Sequence, residues 1–282
     1  MKTSISTWSF PFDMKLEQQL GLARDAGFTG FEIDLSEKGP VNLGSSESDL
    51  HAVRKQVEQH GLQLTGLATG LYWGANPASA DATTVAKADH ILERQLFAAS
   101  ALGIDTVLVV PGSVGVDFIP GGEVVPYGDA WTRARRFVSA ALPQAEKLGV
   151  TIGIENVWNK FLTSPREMAE FVDSFGSDRV GAWFDVGNSL ANGYPEHWIA
   201  LLGSRIKRVH FKDYRRAVGT TDGFVDLLSG DVNWPAVMSA LRTIGYDNWV
   251  SAEMIPPVPF YKYAPEVLID NTARAMRAIY KL

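Results

Sequence analysis

One junction recurs along this chain: a single glycine stands between the end of a candidate helix and the start of a candidate strand. It occurs at Gly27, Gly61, Gly103, Gly149 and Gly245. Glycine can take the left-handed conformation that ends a helix because it has no Cβ atom to clash with the backbone. Regular recurrence of one helix-to-strand junction limits the chain to architectures built from repeated strand–helix units.

Short runs rich in β-branched residues alternate with longer amphipathic stretches, which is typical of a parallel sheet covered by helices. The eight predicted strands are Ser4–Trp8, Gly30–Asp34, Gln63–Leu67, Thr106–Val110, Thr151–Glu155, Val180–Asp185, Ile206–Lys212 and Val250–Glu253. The predicted helices are Leu16–Ala26, Ser48–His60, Ala82–Leu102, Asp129–Leu148, Pro165–Ser174, Trp234–Ile244 and Pro265–Tyr280. Because 282 residues suffice for eight such units, we predict one α/β domain, a (β/α)8 TIM barrel over residues 1–282.

Composition and charge exclude several classes of protein. Hydrophobic residues make up 46% of the chain, enough for one large core, and the net charge of −6 offers no general attraction to nucleic acid or anionic lipid. Any metal site must use oxygen and imidazole ligands, because the chain contains no cysteine. The N-terminus lacks the apolar stretch of a signal peptide, and no segment has the length of a membrane span. We therefore expect a cytoplasmic protein with no membrane and no nucleic-acid partner.

Acidic residues or a histidine close several predicted strands, at the edge where barrel active sites are built. The second strand ends with Glu32 or Asp34, and the last four end with Glu155, Asp185, His210 and Glu253. Side chains alternate between the two faces of a strand. The four last residues share their face mainly with Thr, Gly, Ser and Arg, whereas the opposite face is apolar. Their parity therefore predicts that all four point into the barrel and converge at its C-terminal mouth.

A metal ion is the simplest partner for such a group. Each residue alone could be a helix cap or an ion-pair partner, but four on adjacent strands with one parity are harder to explain that way. Crowded carboxylates repel one another, and a divalent cation removes that penalty and keeps them ionised. A shell of carboxylates and imidazole suits Mn²⁺, which we rank first, and also Mg²⁺, Co²⁺ or Zn²⁺. We predict one divalent ion held by Glu155, Asp185, His210 and Glu253.

Three segments carry a resemblance to a known family: Ile154–Phe161, Phe184–Asn188 and Val209–Asp213. With them the chain resembles the xylose-isomerase-like TIM-barrel family of sugar isomerases and epimerases, over nearly its whole length. Within that family it is most similar to ketose 3-epimerases and sugar-phosphate isomerase/epimerase members. The resemblance implies that the matching Glu, Asp, His and Glu bind one divalent metal. It also implies that Glu155 and Glu253 stand on opposite faces of a ketose and exchange protons with its C3.

The resemblance also suggests which residues contact substrate. The candidates, some by resemblance and some as aromatic or cationic residues near the mouth, are Arg216, Asn188, Trp158, Trp73 and Lys212. Free-ketose 3-epimerases tend to have a glutamate and a histidine where this chain has Phe161 and Asn188, so the substrate could differ. Lys160, Lys212 and Arg216 could instead supply positive charge for a sugar phosphate. We expect a sugar or sugar phosphate as substrate, and a dimer or tetramer by analogy with the relatives.

Other functions remain open for the same barrel. An inosose-type dehydratase or another lyase would use the same metal site, since both outcomes need a stabilised enediolate. A sugar-binding barrel without turnover would not need two opposed glutamates. An endonuclease-IV-like enzyme, which relies on many histidine ligands, fits poorly, because the chain has five histidines and His51, His60, His90 and His197 lie in or beside helices.

Overall fold

Eight parallel strands close into a barrel in the computed structural model, which describes residues 1–254 and 263–282. The strands are β1 (Lys2–Ser6), β2 (Gly30–Asp34), β3 (Gln63–Ala68), β4 (Thr106–Val109), β5 (Thr151–Glu155), β6 (Val180–Asp185), β7 (Ile206–Phe211) and β8 (Trp249–Ala252). Strand β1 pairs with both β2 and β8, which closes the sheet. The predicted (β/α)8 TIM barrel is therefore confirmed.

In the part of the chain that the structure describes, eight α-helices surround the strands. They are α1 (Leu16–Ala26), α2 (Glu47–Gln59), α3 (Ala82–Leu102), α4 (Tyr127–Leu148), α5 (Pro165–Asp173), α6 (Pro195–Leu202), α7 (Trp234–Thr243) and α8 (Pro265–Ile279). The five junction glycines all have positive φ angles, between 69° and 91°, so the left-handed helix exits predicted from the sequence are present. Across residues 1–254 and 263–282, no helix is long and apolar enough to cross a membrane.

Two elements differ from the sequence-based prediction. Helix α6 was not predicted, because it is only eight residues long and its run of apolar residues, Trp198–Leu202, hides the helical period. Strand β1 ends two residues early, because the Ser6 side chain accepts a hydrogen bond from the Trp8 amide and begins a short 3₁₀ turn. Trp8 therefore lies in a turn after β1 rather than at the end of the strand.

A tryptophan fills the barrel interior beneath the C-terminal mouth. Trp183 of β6 is fully buried, and its ring lies edge-on to that of His210, with centroids 5.3 Å apart. A Cβ atom on Gly66 would stand 2.4 Å from the Trp183 ring, and one on Gly153 would stand 3.1 Å from it. Two interior positions therefore lack a side chain so that one large ring can support the residues above it.

The insertion after β7 is anchored by a buried aspartate. The Asp213 carboxylate accepts hydrogen bonds from the amides of Leu228 and Val232 and from the Trp234 indole, at 3.0 to 3.2 Å. Residues Asp213–Tyr214 also pair with Phe224–Val225 in a two-stranded antiparallel sheet. These contacts hold the segment that brings Thr221 and Phe224 over the barrel mouth.

Candidate functional site

Four of the predicted site residues meet at the C-terminal mouth. Strands β5, β6 and β7 carry Glu155, Asp185 and His210, and Glu253 directly follows β8. One potential ligand atom from each lies within 4.8 Å of the others. All four side chains are buried, with Glu155 the most accessible at 6% exposure. The strand-end parity thus leads to one compact cluster, because parallel neighbouring strands end at the same edge.

The orientation of His210 is set by a residue of β2. Both carboxylate oxygens of Glu32 lie 3.0 Å from His210 Nε2, and both residues are fully buried. This contact leaves Nδ1 facing Glu155 Oε1 at 3.4 Å and Glu253 Oε2 at 3.2 Å. Within the described residues, Nδ1 has no well-directed hydrogen-bond partner. A carboxylate behind one ring nitrogen that frees the other is the usual surrounding of a metal-binding histidine.

Asp185 is held with one oxygen pointing into the cluster. The Asn156 side chain accepts from the Asp185 amide and donates to the Asp185 carbonyl, both at 2.8 Å. The Asn188 amide donates to Asp185 Oδ1 at 2.6 Å. Oδ2 is left to face the other ligand atoms. These contacts preorganise Asp185, which lowers the entropic cost of placing a ligand.

Lys212 provides a positive charge inside the cluster. Its Nζ lies 2.5 Å from Glu253 Oε2 and 3.1 Å from Asp185 Oδ2, and the side chain is almost wholly buried. The ammonium also lies 4.9 Å from the centre of the Phe224 ring. One ammonium and one imidazole thus face four buried carboxyl groups, those of Glu32, Glu155, Asp185 and Glu253. The cluster therefore has an excess of negative charge for which a divalent cation is the natural counterion.

The pKa values of the carboxyl groups reflect this crowding. Burial, reinforced by the negative charges of Glu253 and Asp185, raises the pKa of Glu155 to about 7. Burial also raises the pKa of Asp185 to about 6, although Lys212 opposes the shift. For Glu253, burial is outweighed by Lys212 and His210, which hold its pKa below the usual range. The protein without a cation must protonate part of the cluster, and a bound cation would relieve this.

The residues present therefore fit a divalent ion. The ligand set contains three carboxylates and one imidazole, the donors preferred by Mn²⁺, Mg²⁺, Co²⁺ and Zn²⁺. Among the described residues, His210 Nδ1 has no hydrogen-bond partner and Asp185 Oδ2 has only ion pairs, with Lys212 and His210, and both atoms face the same small volume. Buried polar atoms of this kind are rare in native proteins unless an ion or water satisfies them.

A cavity of about 420 Å³ opens beside this cluster. Glu155, Glu253, Lys212 and Asn188 lie on its polar side. Its remaining wall is mostly aromatic and comes from loops after five different strands: Trp8, Phe12, Trp73, Phe118, Trp158 and Phe224. Four of the predicted substrate-binding residues, Trp73, Trp158, Asn188 and Lys212, therefore line the same cavity.

The other predicted substrate contacts lie elsewhere. Arg216 is exposed, where its guanidinium donates to the Gly193 carbonyl at 3.0 Å and lies over the Tyr194 ring, so the structure does not place it in the cavity wall. Lys160 pairs with Asp117 at the surface. The insertion after β7 turns Arg216 toward the loop after β6. Its contact with substrate, which the family resemblance implies, stays a prediction.

Phe161, which replaces a glutamate typical of ketose 3-epimerases, belongs to the hydrophobic core. Its ring packs against those of Trp131 and Phe171, with centroids 6.2 and 5.9 Å away. It is 2% exposed. The position thus serves packing between α4, α5 and the loop after β5.

The sequence did not reveal which residues hold the predicted metal ligands in place. Glu32 was noted only as one of two alternatives with Asp34, and the register shift between Phe31 and Glu32 obscures the parity of β2. Asn156 stands beside a predicted ligand, but nothing in the sequence shows that its amide reaches the Asp185 backbone. Asp213 was quoted only as part of a motif. Each of these roles depends on contacts between strands.

Comparison with known proteins places the chain in a family. The family described as xylose isomerase-like TIM barrel matches residues 20–279. The rhizopine catabolism protein MocC of Rhizobium meliloti is 25% identical over 93% of this chain and 83% of its own length. An uncharacterized protein of Methanocaldococcus jannaschii is 31% identical over 115 residues, which are 39% of this chain and only 38% of that protein.

Solved structures share the whole fold. A D-psicose 3-epimerase crystallised in the presence of D-fructose aligns with a TM-score of 0.81 over 99% of both chains, at 18% identity. The IolI protein with a zinc atom aligns with a TM-score of 0.78 over 100% of this chain and 98% of that one, at 19% identity. The likeness to these structures concerns the fold, and the family match spans most of the sequence. This chain belongs to the xylose isomerase-like TIM barrel family.

Proposed function

We propose that this protein is a metal-dependent sugar isomerase, and that it epimerises a ketose at C3. The observation that carries the proposal is the buried cluster of Glu155, Asp185, His210 and Glu253, whose ligand atoms lie within 4.8 Å of one another beside a cavity. These four side chains would hold one divalent ion, with Mn²⁺ first and Mg²⁺, Co²⁺ or Zn²⁺ as alternatives. A structural neighbour that contains zinc, the IolI protein, supports including Zn²⁺.

The positions of the two glutamates support a role in proton transfer. Glu155 and Glu253 come from β5 and β8, so two strands separate their backbones, yet both side chains line the cavity. A sugar carbon bound between them would present one face to each carboxyl group. One glutamate would remove the proton from that carbon and the other would return a proton from the far side, which inverts the centre. The bound ion supplies stabilisation of the negative charge that develops on the sugar oxygens.

The cations near the cavity favour a substrate without phosphate. Lys212 is already paired with Asp185 and Glu253. Lys160 is paired with Asp117, and Arg216 lies outside the cavity wall. Among residues 1–254 and 263–282, no arginine lines the cavity and Lys212 is its one cation. Within these described residues, a phosphate dianion would lack the cluster of donors that usually binds it.

Solvent deuterium incorporation tests the proposal. The protein would be incubated in D₂O with a panel of ketoses, ketose phosphates and inososes, with Mn²⁺ or with a chelator. We expect deuterium at C3 of a ketose and formation of its 3-epimer, both lost with the chelator and restored by Mn²⁺. Loss of water from an inosose would instead identify the dehydratase alternative. No exchange with any Mn²⁺-loaded sample would contradict the proposal and leave the non-catalytic sugar-binding barrel.

A further inference from the structure

The wall of the cavity suggests what else the substrate carries. Six aromatic rings line the space above the cluster, and two pairs of them pack against each other. Trp73 and Phe118 have centroids 5.3 Å apart at 77°, and Trp158 lies 5.2 Å from Phe224. Such arrangements leave ring faces and edges available to a further flat apolar group.

Three polar side chains of this wall already have hydrogen-bond partners. The Thr69 hydroxyl donates to the Leu35 carbonyl at 2.7 Å, and the Trp158 indole donates to the Asn188 carbonyl at 3.1 Å. The Asn188 amide donates to the Asn156 carbonyl at 3.0 Å. A sugar hydroxyl buried against this wall would gain few hydrogen bonds, and an unsatisfied buried polar group costs about 1–3 kcal/mol. The wall is therefore better suited to an apolar group than to a second set of hydroxyls.

Two rings at the rim of the cavity are exposed to solvent. Phe12 is 89% exposed and Phe118 is 43% exposed, and both line the cavity. Exposed aromatic rings grouped around a cavity commonly mark a ligand site, because binding removes their surface from water. The charged groups of the lining, in contrast, are found at the other end, where Glu155, Glu253 and Lys212 lie. The cavity thus has one polar end and one aromatic end.

From this division we infer that the substrate is a sugar bearing an aromatic substituent, with its sugar part at the metal cluster and its aromatic part between the rings of Trp73, Phe118 and Trp158. The placement of the sugar part rests on the proposed function. The volume of about 420 Å³ agrees with a ligand larger than one sugar, since pockets for drug-sized molecules span about 300–1,000 Å³.

Calorimetric titration with a matched pair of ketose ethers tests the inference. The ethers 1-O-methyl-D-fructose and 1-O-phenyl-D-fructose have the same ketose and differ only in the substituent. We expect the Mn²⁺-loaded protein to bind the phenyl ether about tenfold more tightly, which is what partial burial of one ring yields after the cost of ordering it. Equal affinities would overturn the inference. Phenol that binds as tightly as the phenyl ether would also overturn it, because the sugar would then contribute nothing.

Variants of the exposed residues localise the effect. Phe118→Ala should reduce the phenyl-to-methyl affinity ratio to about threefold or less, since it removes one wall of the aromatic end. Leu201→Ala is the matched control, because it truncates an apolar side chain that is 40% exposed on α6, outside the cavity. It should keep the tenfold ratio. A ratio unchanged in Phe118→Ala would contradict the proposed position of the substituent.

The two proposals fail in different ways. If the proposed function is wrong, no sugar will exchange deuterium and Mn²⁺ will not change the affinity for either ether, while the phenyl-to-methyl ratio can remain high. If the present inference is wrong, the ratio will be close to one while ketose exchange and its dependence on Mn²⁺ persist. Measuring both ethers with Mn²⁺ and with chelator separates these results.

Discussion

Two buried polar residues on one strand have contrasting surroundings. Arg208 and His210 stand two positions apart on β7, so both point into the barrel. The Arg208 guanidinium, toward the floor, donates to the Thr65 and Lys207 carbonyls at 2.8 Å and pairs with Asp105. His210, at the mouth, has Glu32 behind it and three further carboxyl groups in front.

This difference indicates that the buried polar residues at the floor stabilise the fold, whereas those at the mouth serve function. At the floor, each nitrogen of the guanidinium has a partner, and such a satisfied network supports the fold. At the mouth, burial raises the pKa of Glu155 and Asp185, with a smaller contribution from neighbouring carboxyl groups, and this crowding costs stability until a counterion binds. Barrels of this type are known to keep catalytic residues at the C-terminal face and stabilising ones at the other. Changes at the two ends should therefore have separable effects.

The largest expected effect is the loss of turnover when either glutamate of the mouth becomes an amide. Glu155→Gln and Glu253→Gln should each reduce kcat by about 10²–10⁴-fold, because the amide cannot carry the proton. Steady-state kinetics with the ketose found in the deuterium panel would measure this. Glu58→Gln, at the surface of α2 beside Arg54, is the control and should retain full activity. Turnover retained in both mouth variants would rule out proton transfer by these residues.

A change at the floor should act on stability. Arg208→Met removes the donor that satisfies the Thr65 carbonyl and Asp105, and we expect the free energy of unfolding to fall by about 2–3 kcal/mol. The affinity for Mn²⁺ should stay within about threefold of the original, since distant sites behave independently. Urea unfolding and Mn²⁺ titration measure the two quantities. Arg205→Met, which breaks the exposed pair with Asp173, should cost under about 1 kcal/mol. A large loss of Mn²⁺ affinity in Arg208→Met would contradict the separation of the two ends.

Behind the mouth, Glu32 should govern metal affinity. Glu32→Gln removes the charge that holds His210 Nε2, and such partners of metal ligands typically contribute about 10–100-fold in affinity. Calorimetric titration with Mn²⁺ would measure the loss. Asp34→Asn changes the other acid of β2, which hydrogen-bonds with Trp8, and should leave the affinity nearly unchanged. Equal losses in both variants would show that general charge, and not the contact with His210, is responsible.

Affinity for Mn²⁺ should also depend on pH. Glu155 and Asp185 have pKa values of about 7 and about 6 in the metal-free protein, and each must lose its proton to become a ligand. Metal binding therefore releases protons, so affinity should fall as pH decreases through 7 and 6, by about tenfold per pH unit for each proton released. Titrations between pH 5 and 8.5 would show the slope. An affinity independent of pH in this interval would mean that the metal displaces no protons from these carboxyl groups.

The smallest expected effect concerns Arg216. Because its guanidinium contacts the Gly193 carbonyl and Tyr194, Arg216→Ala should change KM by no more than about twofold, as exposed substitutions usually do. Kinetics at varied substrate concentration would measure it. A rise of KM by an order of magnitude with kcat unchanged would support the sequence-based prediction that Arg216 contacts substrate.

Much of the fold followed from local patterns. The exits at Gly27 and Gly103 and the strands Thr151–Glu155 and Val180–Asp185 lie where the sequence predicts them. Helix α6 was not predicted because its short apolar run has no clear helical period. Residues close in sequence determine where a single helix or strand forms. The prediction is therefore correct where the local pattern is long and regular.

By itself the sequence determined the order of strands and helices and the candidates at the strand ends, because period and parity are local properties. The tertiary structure alone decided which groups meet. Glu32 reaches His210 across 178 positions of chain only when the sheet closes. Lys212 was predicted as a possible phosphate ligand, and the packing places it between Asp185 and Glu253 instead. Contacts of this kind depend on how distant strands and loops pack, and no local pattern specifies that.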